Sequence, residues 1–215
     1  AALALLVVLI IRVMRWSPHP VSRRGRYATF RMVHGLAPHH CDVARNFARC
    51  VLLEVLELRG NVGTRLRKID EGQVDAALLA AAGLRRLGLG NRIVSLLDPP
   101  DWLGAPGQGA IAVQARAHDA SMMAILSQLD HTATRAAVTA ERALLAALEG
   151  GCQVPIGAAM CAGGGAELHG IIASVDGTRV VRGSIHVDLD APARSGRALA
   201  ARLHADGGME ILAEL

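Results

Sequence analysis

The chain has 215 residues, 52% hydrophobic and 20% charged, enough to bury a sizeable core and inconsistent with a disordered chain. Aromatic residues make up only 2%, which excludes base-stacking platforms and aromatic cages and leaves alanine, leucine and glycine to fill the interior. The net charge of +4 is unevenly spread: residues 1–50 hold eight arginines against the single acid Asp42, whereas the remainder holds 15 basic and 18 acidic residues, so no nucleic-acid partner is expected for the body. Any affinity for polyanions would belong to the N-terminal stretch.

Ala1 to Ile11 is continuously apolar until Arg12 and Arg15 interrupt it. A membrane span needs about 20 such residues, and in a signal peptide the positive charge precedes the apolar run, so neither a membrane segment nor a leader is expected. Residues 17 to 50 contain Ser17-Pro18-His19-Pro20, Arg23-Arg24-Gly25-Arg26 and Pro38-His39-His40 with no sustained period, and poor order is expected there. His39, His40, Cys41 and Cys50 invite a metal reading, but the spacing fits no common finger. With Cys152 and Cys161 completing the cysteines and no CxxC pair among them, neither a disulfide scaffold nor a metal site is expected.

From Val51 the register is clear. Val51–Leu58 reads as a strand buried on both faces, Thr64–Asp70 as a short helix closed by Gly72, Val74–Ala81 as a second strand and Ile93–Leu97 as a third, a βαβ rhythm. Asp98-Pro99-Pro100-Asp101 and Gly104–Gly109 mark a boundary or hinge. Ala110–Arg116 alternates as a strand, and Asp119 caps a helix carrying Met122, Met123, Ile125, Leu126 and Leu129. Thr132–Leu148 is the longest helical pattern, with Val138, Leu144, Leu145 and Leu148 on one side and Glu141 and Arg142 read as helix surface or domain interface. Val154–Met160, Glu167–Ser174 and Thr178–Asp188 read as strands, the last two joined at Asp176-Gly177, with covering helices over 193–205 and 208–215. The fold class is therefore a partial doubly wound, parallel-type α/β domain followed by a small α+β domain, a three-stranded antiparallel sheet with helices on one face. The expected division is 1–50 as an extension, 51–103 as the partial α/β domain, 104–130 as hinge and crossover, and 131–215 as the closing domain.

The chemistry concentrates at Leu148-Glu149-Gly150-Gly151-Cys152-Gln153-Val154-Pro155-Ile156-Gly157. Paired glycines past a helix end permit a sharp turn, so Cys152 reads either as a thiol presented for attachment or as a small buried apolar residue. These ten residues closely resemble the cofactor-carrying loop of the porphobilinogen deaminases. Arg59-Gly60-Asn61-Val62-Gly63-Thr64-Arg65-Leu66, the run Asp75–Leu89, Ala105-Pro106-Gly107-Gln108-Gly109-Ala110 and Thr139-Ala140-Glu141-Arg142 resemble further segments of that family in the same order. The resemblance runs from about Glu54 to the C-terminus.

It implies a transferase of tetrapyrrole biosynthesis that joins four porphobilinogen units into hydroxymethylbilane, releasing ammonia, on a dipyrromethane cofactor held by Cys152 through a thioether. It also implies a cytoplasmic monomer, or a plastid protein in a photosynthetic eukaryote, and assigns Arg59, Arg65 and Arg86 to the carboxylates of cofactor and substrate. Arginine suits that role because its planar fork grips carboxylates bidentately and stays charged. Arg85 reads as a solvent-facing neighbour. The family's catalytic aspartate lies in a His-Ser-x-Lys-Asp type segment that these 215 residues do not contain, so no catalytic residue is identified. The expectation is a chain truncated on its N-terminal side, either a deaminase with little activity alone or a non-catalytic remnant that binds polycarboxylates.

Overall fold

The structure is a computed structural model that describes residues 7–11, 30–34, 53–149, 155–161, 165–175 and 177–214. Two compact units meet in sequence between Trp102 and Leu103, inside the stretch rich in proline and glycine.

The first unit is built on a five-stranded sheet of β1 (Val7–Ile11), β2 (Phe30–His34), β3 (Leu53–Glu57), β4 (Ala76–Ala80) and β5 (Ser95–Leu97), in the order β3-β2-β4-β1-β5. β2 runs parallel to both β3 and β4, whereas β1 is antiparallel to β4 and β5, so the sheet is mixed. Strand β2 falls within the stretch from 17 to 50 that has no sustained period, and it supplies the partner between β3 and β4. The expected helix forms as α1 (Val62–Asp70), and α2 (Ala81–Arg86) follows β4 directly. Ala76 to Leu79 are all buried, as a strand covered on both faces requires, and the core gathers Leu58, Leu66, Ile69, Val74, Ala77, Leu79, Ala81 and Leu84.

The second unit departs from expectation at its start. Ala110–Arg116 forms no strand: it has no ladder partner among the described residues, and Ile111 and Val113 stand 85% and 60% exposed. An alternating pattern becomes a strand only when another edge satisfies its backbone. Asp119 does cap the helix that follows, α3 (Ala120–Ser127), its carboxylate accepting from the Met122 N–H at 3.0 Å.

Helix α4 (Thr132–Ala147) then leads into the antiparallel sheet β6 (Ile156–Cys161), β7 (Glu167–Ala173) and β8 (Val180–His186), in that order. The β7–β8 hairpin closes on Ser174, whose N–H donates to the Arg179 carbonyl at 2.9 Å, and Gly177 takes φ +67° in the turn. Asp176, expected there, lies outside the described residues. Helix α5 (Pro192–Leu203) and the short α6 (Met209–Leu212) complete the unit.

Helices α4 and α5 cover one face of this sheet. A Cβ at Gly170 would touch Leu144 and Leu203 at 3.0 Å and Leu199 at 3.2 Å, so the sheet offers bare backbone where leucines descend from both helices. The opposite face carries Gly157 and Ile171, and Leu103 lies against Gly157. The two helices touch through Gly196, where a Cβ would lie 2.9 Å from the Leu144 nitrogen and would overlap the Ala140 carbonyl outright. Gly196→Ala must push the helices apart, and overpacking of this kind costs about 1–3 kcal/mol. A lower urea midpoint at unchanged m-value is the expected result, and an unaltered midpoint would show that the helices separate freely.

Candidate functional site

Arg59 and Arg65 belong to one turn because the chain reverses sharply after β3. Gly60 holds φ +121°, and a Cβ there would strike Thr64 Cγ2 at 2.9 Å, so only glycine fits. Asn61 caps α1 by accepting from the Thr64 N–H at 2.8 Å, and no acid occupies the first helical turn. Arg65 is half-buried and donates its Nε–H to the Gly60 carbonyl at 2.8 Å, an arrangement that leaves its Nη groups for another partner. Arg59 is exposed, and its carbonyl accepts from Lys68 Nζ at 3.4 Å.

Arg86 sits in the last turn of α2, exposed and without an ion-pair partner among the described residues. Because β2 runs parallel to both β3 and β4, the turn with Arg59 and the start of α2 leave the sheet at the same, carboxyl edge, roughly 10 Å apart across two strand spacings. The structure thus brings Arg59 and Arg65 to one turn and sets Arg86 on the same edge, at the far end of a short helix. Exposure does not separate Arg86 from Arg85, which is equally exposed. Two other arginines of the unit are paired: Arg92 with Asp70 at 2.6 Å and Arg67 with Glu71 at 3.6 Å. Guanidinium groups at the carboxyl ends of parallel strands, close to a helix start, form a donor set that fits a polycarboxylate.

Cys152 lies outside the described residues, as do Cys41 and Cys50 with the histidines beside Cys41. The chain is described up to Glu149 and again from Pro155. Glu149, not a glycine, takes the left-handed φ of 52° just past the end of α4, so the described reversal begins one residue before the glycine pair. Among the described residues, no three His, Cys, Asp or Glu side chains group to hold a metal ion, and no helix is long and apolar enough to cross a membrane.

Cys161 ends β6 opposite Glu167. Partial burial pushes its thiol up, and the Glu167 and Glu141 carboxylates push the same way, so its reactive thiolate is scarce.

The reading of Glu141 as surface or interface is corrected by the structure. Its side chain is 8% exposed and accepts the Gly107 N–H at 2.7 Å and the Met160 N–H at 3.0 Å. The signal was available: position 141 lies three and seven residues before Leu144 and Leu148, on the same helical face. Arg142, its neighbour, is exposed.

Burial drives the Glu141 carboxyl above its ordinary range, outweighing the two N–H groups that pull it down. The folded state therefore keeps a proton that the unfolded chain releases, and the group subtracts stability as pH rises through the window just above the usual carboxylate value. Between about pH 4 and pH 7 the wild-type Tm should lose more than that of Glu141→Gln. Parallel Tm profiles in the two proteins would show that the carboxyl titrates normally.

Residues 43–124 match the family model for porphobilinogen deaminase, dipyromethane cofactor binding domain, and residues 135–205 match that for porphobilinogen deaminase, C-terminal domain. The first match begins ahead of Glu54, where the motifs fade, and Cys152 falls within the second. Among curated proteins, the chain is 52% identical over 162 residues to the porphobilinogen deaminase of Roseiflexus castenholzii, covering 75% of this chain and 53% of that protein. Its identity to the porphobilinogen deaminase of Desulforudis audaxviator is 50% over 164 residues, 76% of this chain and 53% of the relative. For the protein of that name from Stenotrophomonas maltophilia the figure is 48% over 161 residues, 74% and 53% of the two chains. The chain spans about half the length of the curated relatives it matches.

Proposed function

The chain belongs to the porphobilinogen deaminase family, and on that premise we propose that it is a transferase of tetrapyrrole biosynthesis whose Cys152 carries a dipyrromethane cofactor. The observation that carries the reading is the turn after β3, where Gly60 forces a reversal, Arg59 and Arg65 flank it, and Arg65 is pinned by its Nε–H. That turn lies within the residues matched by the cofactor-binding model.

Arg59, Arg65 and Arg86 would hold the cofactor's carboxylates and those of incoming porphobilinogen. When bound, the cofactor supplies a primer pyrrole to which porphobilinogen units are joined with loss of ammonia. A thioether at Cys152 resists hydrolysis, so the primer stays attached through the cycle. Cys161 is less suited to the same task, since partial burial, with the Glu167 and Glu141 carboxylates acting the same way, pushes its thiol up. The substrate is a small molecule, and we assign the chain to the cytoplasm as a monomer.

Attachment is tested by incubating the chain with the hydroxymethyl tetrapyrrole preuroporphyrinogen and mapping adducts by mass spectrometry. One adduct on the peptide containing Cys152, abolished in Cys152→Ser, is expected. An adduct on Cys41, Cys50 or Cys161 instead would refute the anchor. Arg65→Lys keeps the charge but loses the fork and its bond to Gly60, and should raise the tetrapyrrole concentration needed for half-maximal loading roughly tenfold.

For the 215 residues taken alone we infer a second reading, binding without turnover, because no His-Ser-x-Lys-Asp type segment occurs among them. Loss of a positioned acid/base group costs about 10²–10⁴-fold in rate. The polypeptide of residues 1–215, assayed by itself for ammonia release and uroporphyrin formation, should therefore show only trace turnover while still loading the cofactor. Robust turnover would mean that another carboxylate, such as Asp42 or Asp101, supplies the chemistry.

A further inference from the structure

The buried carboxylate of Glu141 is used by none of the chemistry above. Among the described residues the buried polar side chains are Glu141, Ser174 and Ser195. Ser174 accepts from the Arg179 N–H within the β7–β8 turn, and Ser195 accepts from the Asp188 N–H ahead of α5, so each serine organises its own neighbourhood. Glu141 differs, because its two partners lie 34 residues before it and 19 residues after it.

Those partners are informative. Met160 belongs to β6, the strand that follows the cysteine segment, and Glu141 itself belongs to α4, the helix that precedes it. Gly107 belongs to the Ala105-Pro106-Gly107-Gln108-Gly109 turn, which is also fastened to β6 where the Ala158 N–H donates to the Gly104 carbonyl at 2.9 Å. One carboxylate therefore locks helix, strand and hinge turn together.

Stability does not account for a charged group at this position. An apolar side chain beside Ala140, Leu144 and Leu148 would bury without any desolvation cost, and burying a carboxylate is unfavourable unless its hydrogen bonds offset that cost. A carboxylate adds two acceptor oxygens that receive two backbone N–H groups from separate segments simultaneously.

The geometry points to Glu141 as a positioning residue for cofactor attachment, fixing both stems of the segment from Glu149 to Pro155 that contains Cys152. This rests on the reading of Cys152 as the anchor. In the attachment step the Cys152 Sγ–C bond to the hydroxymethyl carbon forms as the C–O bond breaks, and the hydroxyl leaves as water with the thiol proton. Glu141 touches none of these atoms. It joins α4 to β6, the elements on either side of the segment that contains Cys152.

The test measures Cys152 loading in the full chain as a function of preuroporphyrinogen concentration. Glu141→Ala should lower the limiting rate tenfold or more, and Glu141→Gln, which keeps one acceptor oxygen, should lower it several-fold, since misplacement by about 1 Å costs up to 10²-fold. The half-saturating concentration should stay within about twofold of wild type, because the arginines that set it are unchanged. A general loosening would shift both quantities, and that outcome overturns the proposal, as does loading at the wild-type rate in both variants while Cys152→Ser loads nothing.

Should Glu141→Ala fail to fold by circular dichroism, Glu141→Gln alone decides. Failure of the wild-type chain to load would refute the anchor, and hydrogen exchange then decides Glu141 separately. Faster exchange at Gly107, Met160 and residues 149–154 in Glu141→Gln supports the positioning role, and unchanged exchange overturns it.

Discussion

The second unit depends on a backbone contact, the seating of Gly196 of α5 over the Ala140 carbonyl of α4. A chain with 2% aromatic residues cannot span its interior with large side chains, so its layers must approach closely. Glycine at 196 brings the helices together, and glycines at 170 and 183 let leucines 144, 199 and 203 sink onto the sheet. Helix α4 is clamped between α5 and the sheet in one register. That register decides which residue faces the strand edge and where the helix stops, at Leu148.

Fixing α4 gives the buried Glu141 carboxylate its leverage. Ion pairs elsewhere in this unit, Arg135 with Asp130, Arg194 with Asp188 and Arg179 with Glu214, lie near the surface. Such pairs contribute about 0–1 kcal/mol each and mainly order their own neighbourhoods. Glu141 joins segments distant in sequence, in a site where hydrogen bonds are strong and unpaired groups costly. Its two hydrogen bonds tie the Gly107 turn and β6 to α4, at some expense in stability as pH rises.

Most of the second unit was legible because its signals are local. A 3.6-residue period marks α4, an Asp caps α3, and three short runs with a turn between the last two give the antiparallel sheet. Two failures share a physical cause. Ala110–Arg116 alternates like a strand, but a strand is a pairing, and no ladder partner appears among the described residues. Phe30–His34 carries too short a pattern to be recognised, yet it lies between β3 and β4 in the sheet. Glu141 is hidden by its charge, which points to solvent, whereas its position in line with Leu144 and Leu148 points to the interior. The arginine turn was legible because glycine and asparagine set it locally, whereas Cys152 lies outside the described residues and rests on its motif alone.

The arginine turn shows how backbone conformation holds a long side chain in place. Gly60 must adopt φ +121°, a conformation closed to other residues here by Thr64. That conformation accompanies a Gly60 carbonyl placed to receive the Arg65 Nε–H at 2.8 Å, and Asn61 starts the helix that carries Arg65. Immobilising a long side chain on binding costs about 0.5–1.5 kcal/mol. Much of that ordering of Arg65 is completed when the chain folds. Arg86 has no such tether among the described residues. Arg65 and Arg86 thus differ in how far the fold itself orders them.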